Sequence, residues 1–136
     1  MNIHHKKKIF VVAGESSGDQ HGASYIVSHS NINSDLVFTA IGQEEIKKSP
    51  AELIYDSEII SVVGIMEVIS KYSEIKKALS LAKQHIIDNK PDLIVLIDYI
   101  EFNTKIAKFA KTQNIPVLFY IAPQVWAWRE KRAKGF

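Results

Sequence analysis

Cysteine is absent from the 136 residues, which rules out disulfides, a thiol nucleophile and a zinc–thiolate site. A reducing compartment is compatible with that. Charge of one sign is scarce as well: seventeen Lys and Arg stand against fifteen Asp and Glu, a net charge of +2, too even to argue for nucleic acid as a partner. Basic residues crowd near both ends, at Lys6 to Lys8 and at Arg129, Lys131, Arg132 and Lys134, a pattern that a solvated face or tail also explains. Long hydrophobic runs are missing. The first apolar run, 9–13, lasts five residues before Gly14 and Glu15, short of the ~7 to 15 of a secretory leader. No run approaches the ~18 apolar residues of a spanning helix. These absences predict a cytoplasmic chain, with contact to a membrane surface still allowed. The five histidines show no metal-ligand spacing, so no metal and no other cofactor is expected.

What is present suits one core. Hydrophobic residues make up 46% of the chain, enough for a single domain over residues 1–136. Three runs, 8–13 (KIFVVA), 92–97 (DLIVLI) and 116–121 (PVLFYI), are apolar without polar alternation, as parallel strands covered on both faces should be. Residues 36–41 form a fourth such run and 52–55 a weaker fifth. Between them lie helical patterns at 22–30, at 65–87 and at 103–112, the last with Asn103 as its N-cap. In the long one, Ile65, Val68, Tyr72, Ile75, Leu79, Ala82 and Ile86 recur at gaps of three and four, a core-facing stripe by period. Its start, with Val62, Val63, Met66 and Ile69 added, also reads as an apolar surface for lipid. Strands alternating with helices predict an α/β domain with a mostly parallel sheet and helices on both faces.

Three segments could carry chemistry, and all three follow strand ends. Residues 13–22 read AGESSGDQHG; glycines at 14, 18 and 22 permit positive φ and close backbone approach, and the following helix would aim free N–H groups at an anion or hydroxyl. The spacing is neither the dinucleotide fingerprint nor a phosphate-binding P-loop, and Ser16 with Asp19 equally fits a helix cap. Residues 97–103 read IDYIEFN. Asp98 stands at a strand mouth, where a carboxylate can serve as general base, although Asp98 and Glu101 also have capping-box spacing. Residues 122–131 read APQVWAWREK: Trp126 and Trp128 offer flat apolar surface for a sugar or acyl chain, Gln124 both donates and accepts, and Arg129 offers a fork for phosphate. Core tryptophans followed by a solvated basic helix fit the same letters. In a parallel sheet, strand C-terminal ends share one edge, so the three segments are expected to converge.

Four stretches, AGESSGD (13–19), VVGIMEV (62–68), IDYIEFN (97–103) and APQVWAWR (122–129), taken in this order, resemble the AGExSGD, VMGxxEV, IDxPDFN and SPxVWAWR motifs of lipid-A-disaccharide synthases. That resemblance implies the N-terminal, Rossmann-like half of a GT-B glycosyltransferase, active in lipid A biosynthesis. The reaction implied joins UDP-linked 2,3-diacylglucosamine to 2,3-diacylglucosamine 1-phosphate and releases UDP. It implies Asp98 as the catalytic residue, with Gly14, Glu15, Ser17, Gly18, Asp19, Asn103, Gln124, Trp126, Trp128 and Arg129 on the substrate side. It further implies Val62, Val63, Ile65, Met66 and Ile69 as contacts to the inner face of the bacterial inner membrane. Departures are Ile100 and Glu101 in place of Pro and Asp, Ala122 in place of Ser, and IGQEEI (41–46) in place of a Gly-rich turn. The chain ends at roughly the first third of the family's length, so the C-terminal UDP-sugar-binding domain is expected to be absent. A complementing C-terminal chain would then be a partner, and this chain alone is expected to be inactive. A non-catalytic lipid- or membrane-binding remnant, and a small flavodoxin-like nucleotide module, are the alternative readings.

Overall fold

The computed structural model describes residues 6–120; Gln124, Trp126, Trp128 and Arg129 lie outside the described residues, as does the side chain of Met66. The unbroken apolar runs become five parallel strands: β1 (Lys7–Ala13), β2 (Leu36–Gly42), β3 (Glu52–Asp56), β4 (Leu93–Ile97) and β5 (Val117–Tyr120). They lie in the order β3-β2-β1-β4-β5, so the oldest strand in sequence is the central one. Successive β1 residues point to opposite faces. Phe10 and Val12 join a cluster with Ala78, Ala82, Ile86, Phe102 and Ile106, while Ile9, Val11 and Ala13 join one with Ile26, Phe38 and Ile46. Helices therefore cover both faces: α1 (Ser16–Ile32) and the short α2 (Glu44–Lys47) on one, α4 (Val68–Asn89) and α5 (Ile100–Thr112) on the other.

Two helix expectations need correction. The pattern at 65–87 is not one helix: α3 (Glu58–Met66) and α4 are separated at Glu67, whose backbone is extended at φ −161°, ψ 131°. The Glu67 N–H still closes α3 on the Val63 carbonyl at 3.0 Å, and its carbonyl accepts the first α4 bond from Lys71 N–H at 3.1 Å. Gly64 leaves room at the break for the aliphatic stem of Lys71, which a Cβ would meet at 2.7 Å. The stripe thus splits into two uses. Ala78, Ala82 and Ile86 are fully buried, whereas Ile65, Val68, Ile69 and Tyr72 are 62% to 85% exposed. Asn103 is likewise not an N-cap; α5 begins at Ile100 with Tyr99 as its cap residue, and Asn103 sits one turn inside, fully buried.

Under α4, His85 lies against the Phe10 ring at 4.7 Å. The Asn89 carboxamide donates to His85 Nδ1 at 2.9 Å, so the neutral ring carries its proton on Nε2 and donates to Thr39 Oγ1 at 2.8 Å. Burial pulls the imidazole below its ordinary value of 6.5, against a weaker upward pull from Glu52 and Asp88. Below about 6.5 the unfolded chain takes up a proton that the folded chain refuses. The stability contributed here is full above that pH and is lost as pH falls through the folded value. Thermal midpoints measured from pH 7.5 to 5 should therefore fall more steeply for the natural sequence than for His85→Gln. Parallel curves would show that His85 titrates alike in both states.

Candidate active site

The order in which strands are added reverses between β1 and β4, which run parallel side by side with Ala13 opposite Ile97; Tyr120 lies opposite Ile97 on the other side. The turn after β1 and the turn after β4 therefore emerge next to each other at the C-terminal edge of the sheet. That is the position at which open α/β sheets leave a crevice for ligand. Two of the three segments marked in the sequence converge there, and the third begins just past Tyr120.

After β4 the chain reverses through two successive left-handed residues, Asp98 (φ 48°) and Tyr99 (φ 45°). For L-residues that conformation costs about 1 to 2 kcal/mol each, less for Asp, whose short polar side chain tolerates it. Backbone bonds hold the turn: Asp98 N–H donates to the Tyr120 carbonyl and Asn103 N–H to the Tyr99 carbonyl, both at 2.9 Å. Asn103 completes the clamp, its Nδ2 donating to the carbonyls of Asp98 at 2.8 Å and Ile97 at 3.2 Å. Its Oδ1 is buried with no donor among the described residues. Asn103 is thus the brace that fixes Asp98, which is half-buried at the strand mouth. Tyr99, and not Asp98, is the cap residue of α5, so the Asp98/Glu101 spacing does not coincide with the start of that helix.

The glycine turn works by closeness and not by unusual dihedrals. Among the described residues no glycine has positive φ. A Cβ on Gly14 would lie 2.5 Å from Tyr99 Cγ, because the Tyr99 ring is seated on the glycine backbone. Gly22 and Gly42 make room for Ile46 Cδ1 in the same way, at 2.8 and 2.5 Å. Glu15 precedes α1, and Glu15, Ser16 and Ser17 are exposed. Ser16 is not paired with Asp19 as a cap; its hydroxyl donates to Gln43 Oε1 at 3.2 Å. The Asp19 carboxylate turns inward and accepts three backbone N–H groups, from Gln43 at 2.7 Å, Glu45 at 2.9 Å and Ile46 at 3.1 Å. It anchors the start of α2 to the start of α1.

Sequence reading missed three residues at this edge. Tyr99 packs on the Gly14 backbone at this edge; burial, then the charges of Glu15 and Glu101, push its phenol above the ordinary range, so its hydroxyl stays a donor at neutral pH. Gln43 is buried and reaches the Gly14 carbonyl at 3.5 Å. Ser57 is buried and donates to the Ala13 carbonyl at 3.2 Å. Gln43 directly follows the glycine of IGQEEI and Tyr99 directly follows Asp98 in IDYIEFN, and those positions are the usable signals; nothing local marks Ser57. Two open grooves, of about 660 Å³ along α1 and α2 and about 570 Å³ beside Pro116 and Val117, contain none of these residues. The chemistry of the strand ends, and not groove volume, marks the candidate site.

A parallel sheet reversing between β1 and β4, with a close-packed glycine turn and a strand-end carboxylate at the reversal, defines a Rossmann-like α/β domain. The chain belongs to the lipid-A-disaccharide synthetase family, whose family model matches residues 9–136. It is 42% identical over 128 residues to the lipid-A-disaccharide synthase of Geobacter metallireducens, covering 94% of this chain and 33% of that protein. The synthase of Nitrosococcus oceani is 43% identical over 124 residues, covering 91% and 32% respectively. That of Coxiella burnetii is 35% identical over 128, covering 94% and 34%. The chain spans about a third of the length of the curated relatives it matches. Those relatives are enzymes by name.

Proposed function

We propose that this chain is the acceptor-side domain of a lipid-A-disaccharide synthase, acting on 2,3-diacylglucosamine 1-phosphate while the UDP-linked 2,3-diacylglucosamine is held by a C-terminal lobe. The observation that carries the proposal is Asp98, clamped at the β1/β4 reversal beside the glycine turn in a member of this family. In such a transfer the acceptor hydroxyl attacks the anomeric carbon and its proton passes to the carboxylate. The bond to UDP breaks as the new glycosidic bond forms, and the departing charge is stabilised from the donor side. Glu15 and Ser17, exposed at the start of α1, face the same edge and supply polar contacts. The test is to assay this chain alone and fused to the remaining C-terminal portion of the Geobacter metallireducens relative. Disaccharide should form only with the fusion. Turnover by the chain alone, or none by a folded fusion, would overturn the proposal.

Binding at a membrane surface belongs to the same reading. Val62, Ile65, Val68, Ile69 and Tyr72 are exposed around the α3–α4 break, an apolar surface without core partners, and Val63 beside them is half-buried. Apolar side chains would enter the interface while nearby lysines attract anionic lipid. Among the described residues no helix is long and apolar enough to cross a membrane. Ile65→Asp and Ile69→Asp change exposed positions and should leave the fold intact while cutting co-sedimentation with anionic vesicles roughly tenfold or more. Undiminished co-sedimentation of both variants would remove this surface from consideration.

A further inference from the structure

We propose that Tyr99 is a specificity-determining residue of this site, its ring forming a wall of the β1/β4 crevice against which the acceptor's pyranose ring packs. The proposal rests on the acceptor reading above and names the side chain that would recognise the sugar itself. Three observations carry it. First, Tyr99 follows Asp98 directly, and both residues are held in left-handed geometry by the Asn103 clamp; the turn fixes the point at which the Tyr99 side chain leaves the backbone. Second, its position is fixed from two sides. Three ring atoms lie within 2.5 to 2.8 Å of where a Gly14 Cβ would stand, and Phe102 packs behind at 5.3 Å between ring centroids. Third, Tyr99 is only half-buried, so part of the ring is open to solvent at the edge where the glycine turn and the candidate base meet.

A rigid aromatic surface beside a carboxylate suits a pyranose. The sugar's C–H face packs on the ring while its hydroxyls reach polar groups. Burial, then the charges of Glu15 and Glu101, raise the phenol above its ordinary range, so at neutral pH its hydroxyl is protonated and able to donate to a sugar oxygen. A phosphate without a pyranose ring gains nothing from this wall. Gly14 acquires a role through Tyr99: any side chain there would push the ring out of its seat.

The test uses the whole chain with tyrosine rings labelled by 13C, titrated with glucosamine 1-phosphate and, as the comparison probe, glycerol 1-phosphate. The Tyr99 ring signals are assigned by their loss in Tyr99→Phe. They should move with the sugar phosphate and stay in place with glycerol 1-phosphate. Affinity for glucosamine 1-phosphate should fall about five- to tenfold in Tyr99→Leu, the scale of a lost aromatic contact, and stay within about threefold in Tyr99→Phe. If the sugar phosphate binds but leaves the Tyr99 ring signals unmoved, or if the two probes shift them equally, Tyr99 is not the sugar wall and the acceptor reading stands without it. If glucosamine 1-phosphate does not bind the natural chain at all, the acceptor reading fails and this proposal with it. Should Tyr99→Leu fail to fold, the ring signals of the natural sequence decide.

Discussion

Asp98→Asn, placed in the fused enzyme, is expected to cut turnover roughly a hundredfold or more, the usual scale for a lost acid or base. The thermal midpoint should stay within a few degrees. The geometry makes this substitution unusually clean. The bonds that hold the turn use the Asp98 backbone N–H and carbonyl, and Asn tolerates the left-handed conformation at 98 as Asp does. Asp98→Ala is a different experiment, because Ala loses that tolerance and should lower stability by about 1 kcal/mol on top of the catalytic loss. Full activity in Asp98→Asn would end its candidacy as base and turn attention to Glu15, the exposed carboxylate on the neighbouring turn. Asp19 would not replace it, since its carboxylate is buried and engaged by three amides.

Removing the Asp19 carboxylate should lower stability as much as truncating a buried core side chain. Asp19→Ala leaves three backbone N–H groups at the start of α2 without their acceptor, two of them buried. At about 1 to 3 kcal/mol for each unsatisfied buried group, with partial relief from water, the expected loss is about 3 to 5 kcal/mol. The corresponding fall in thermal midpoint is on the order of 10 to 20 °C. Asp19→Asn should cost roughly half as much. Its carboxamide oxygen can keep the bonds from Gln43 and Ile46, both of which go to one carboxylate oxygen, while its NH2 would face the Glu45 N–H. Differential scanning calorimetry of the two variants checks the series. A midpoint within 2 °C of the natural sequence for Asp19→Ala, taking that margin as about 0.5 kcal/mol, would show that the anchor contributes nothing and would reopen Asp19 as a ligand contact.

The strands β1, β2 and β4 were legible because parallel strands buried on both faces are largely apolar. β5 is apolar as well, but it is an edge strand of the described sheet and its Leu118 and Tyr120 are exposed, so the expected cover on both faces is not found there. Even the weaker run at β3 formed. The helices were legible only where period and burial agree, as at Ala82 and Ile86. The same period continues through Ile65 and Val68, where the side chains face solvent, so periodicity alone could not reveal the break at Glu67 or the helix before it. The candidate site was legible in place but not in workings. Gly14, Gly22 and Asp19 stand out in the sequence by their place after β1. Their partners, however, are Tyr99, Ile46 and the amides of 43 to 46, all more than twenty residues distant in sequence. Ser16 and Asp19 have local cap spacing, yet each found a better partner across the sheet edge. Long-range packing of this kind leaves no local pattern to read.

The position of β1 has a consequence for how the chain is made. It precedes the other four described strands in the chain and lies at the centre of the sheet they form. One of its edges pairs with β2 about thirty residues later, but the other waits for β4, with Ile9 opposite Leu93 and Ala13 opposite Ile97. Until that point an apolar strand carries an unpaired row of N–H and C=O groups, the feature that templates wrong pairings between chains. Closing so long a loop is also slow. The interval between the emergence of Ala13 and that of Ile97 is therefore when a growing chain is most open to aggregation, and it closes once β4 docks against β1.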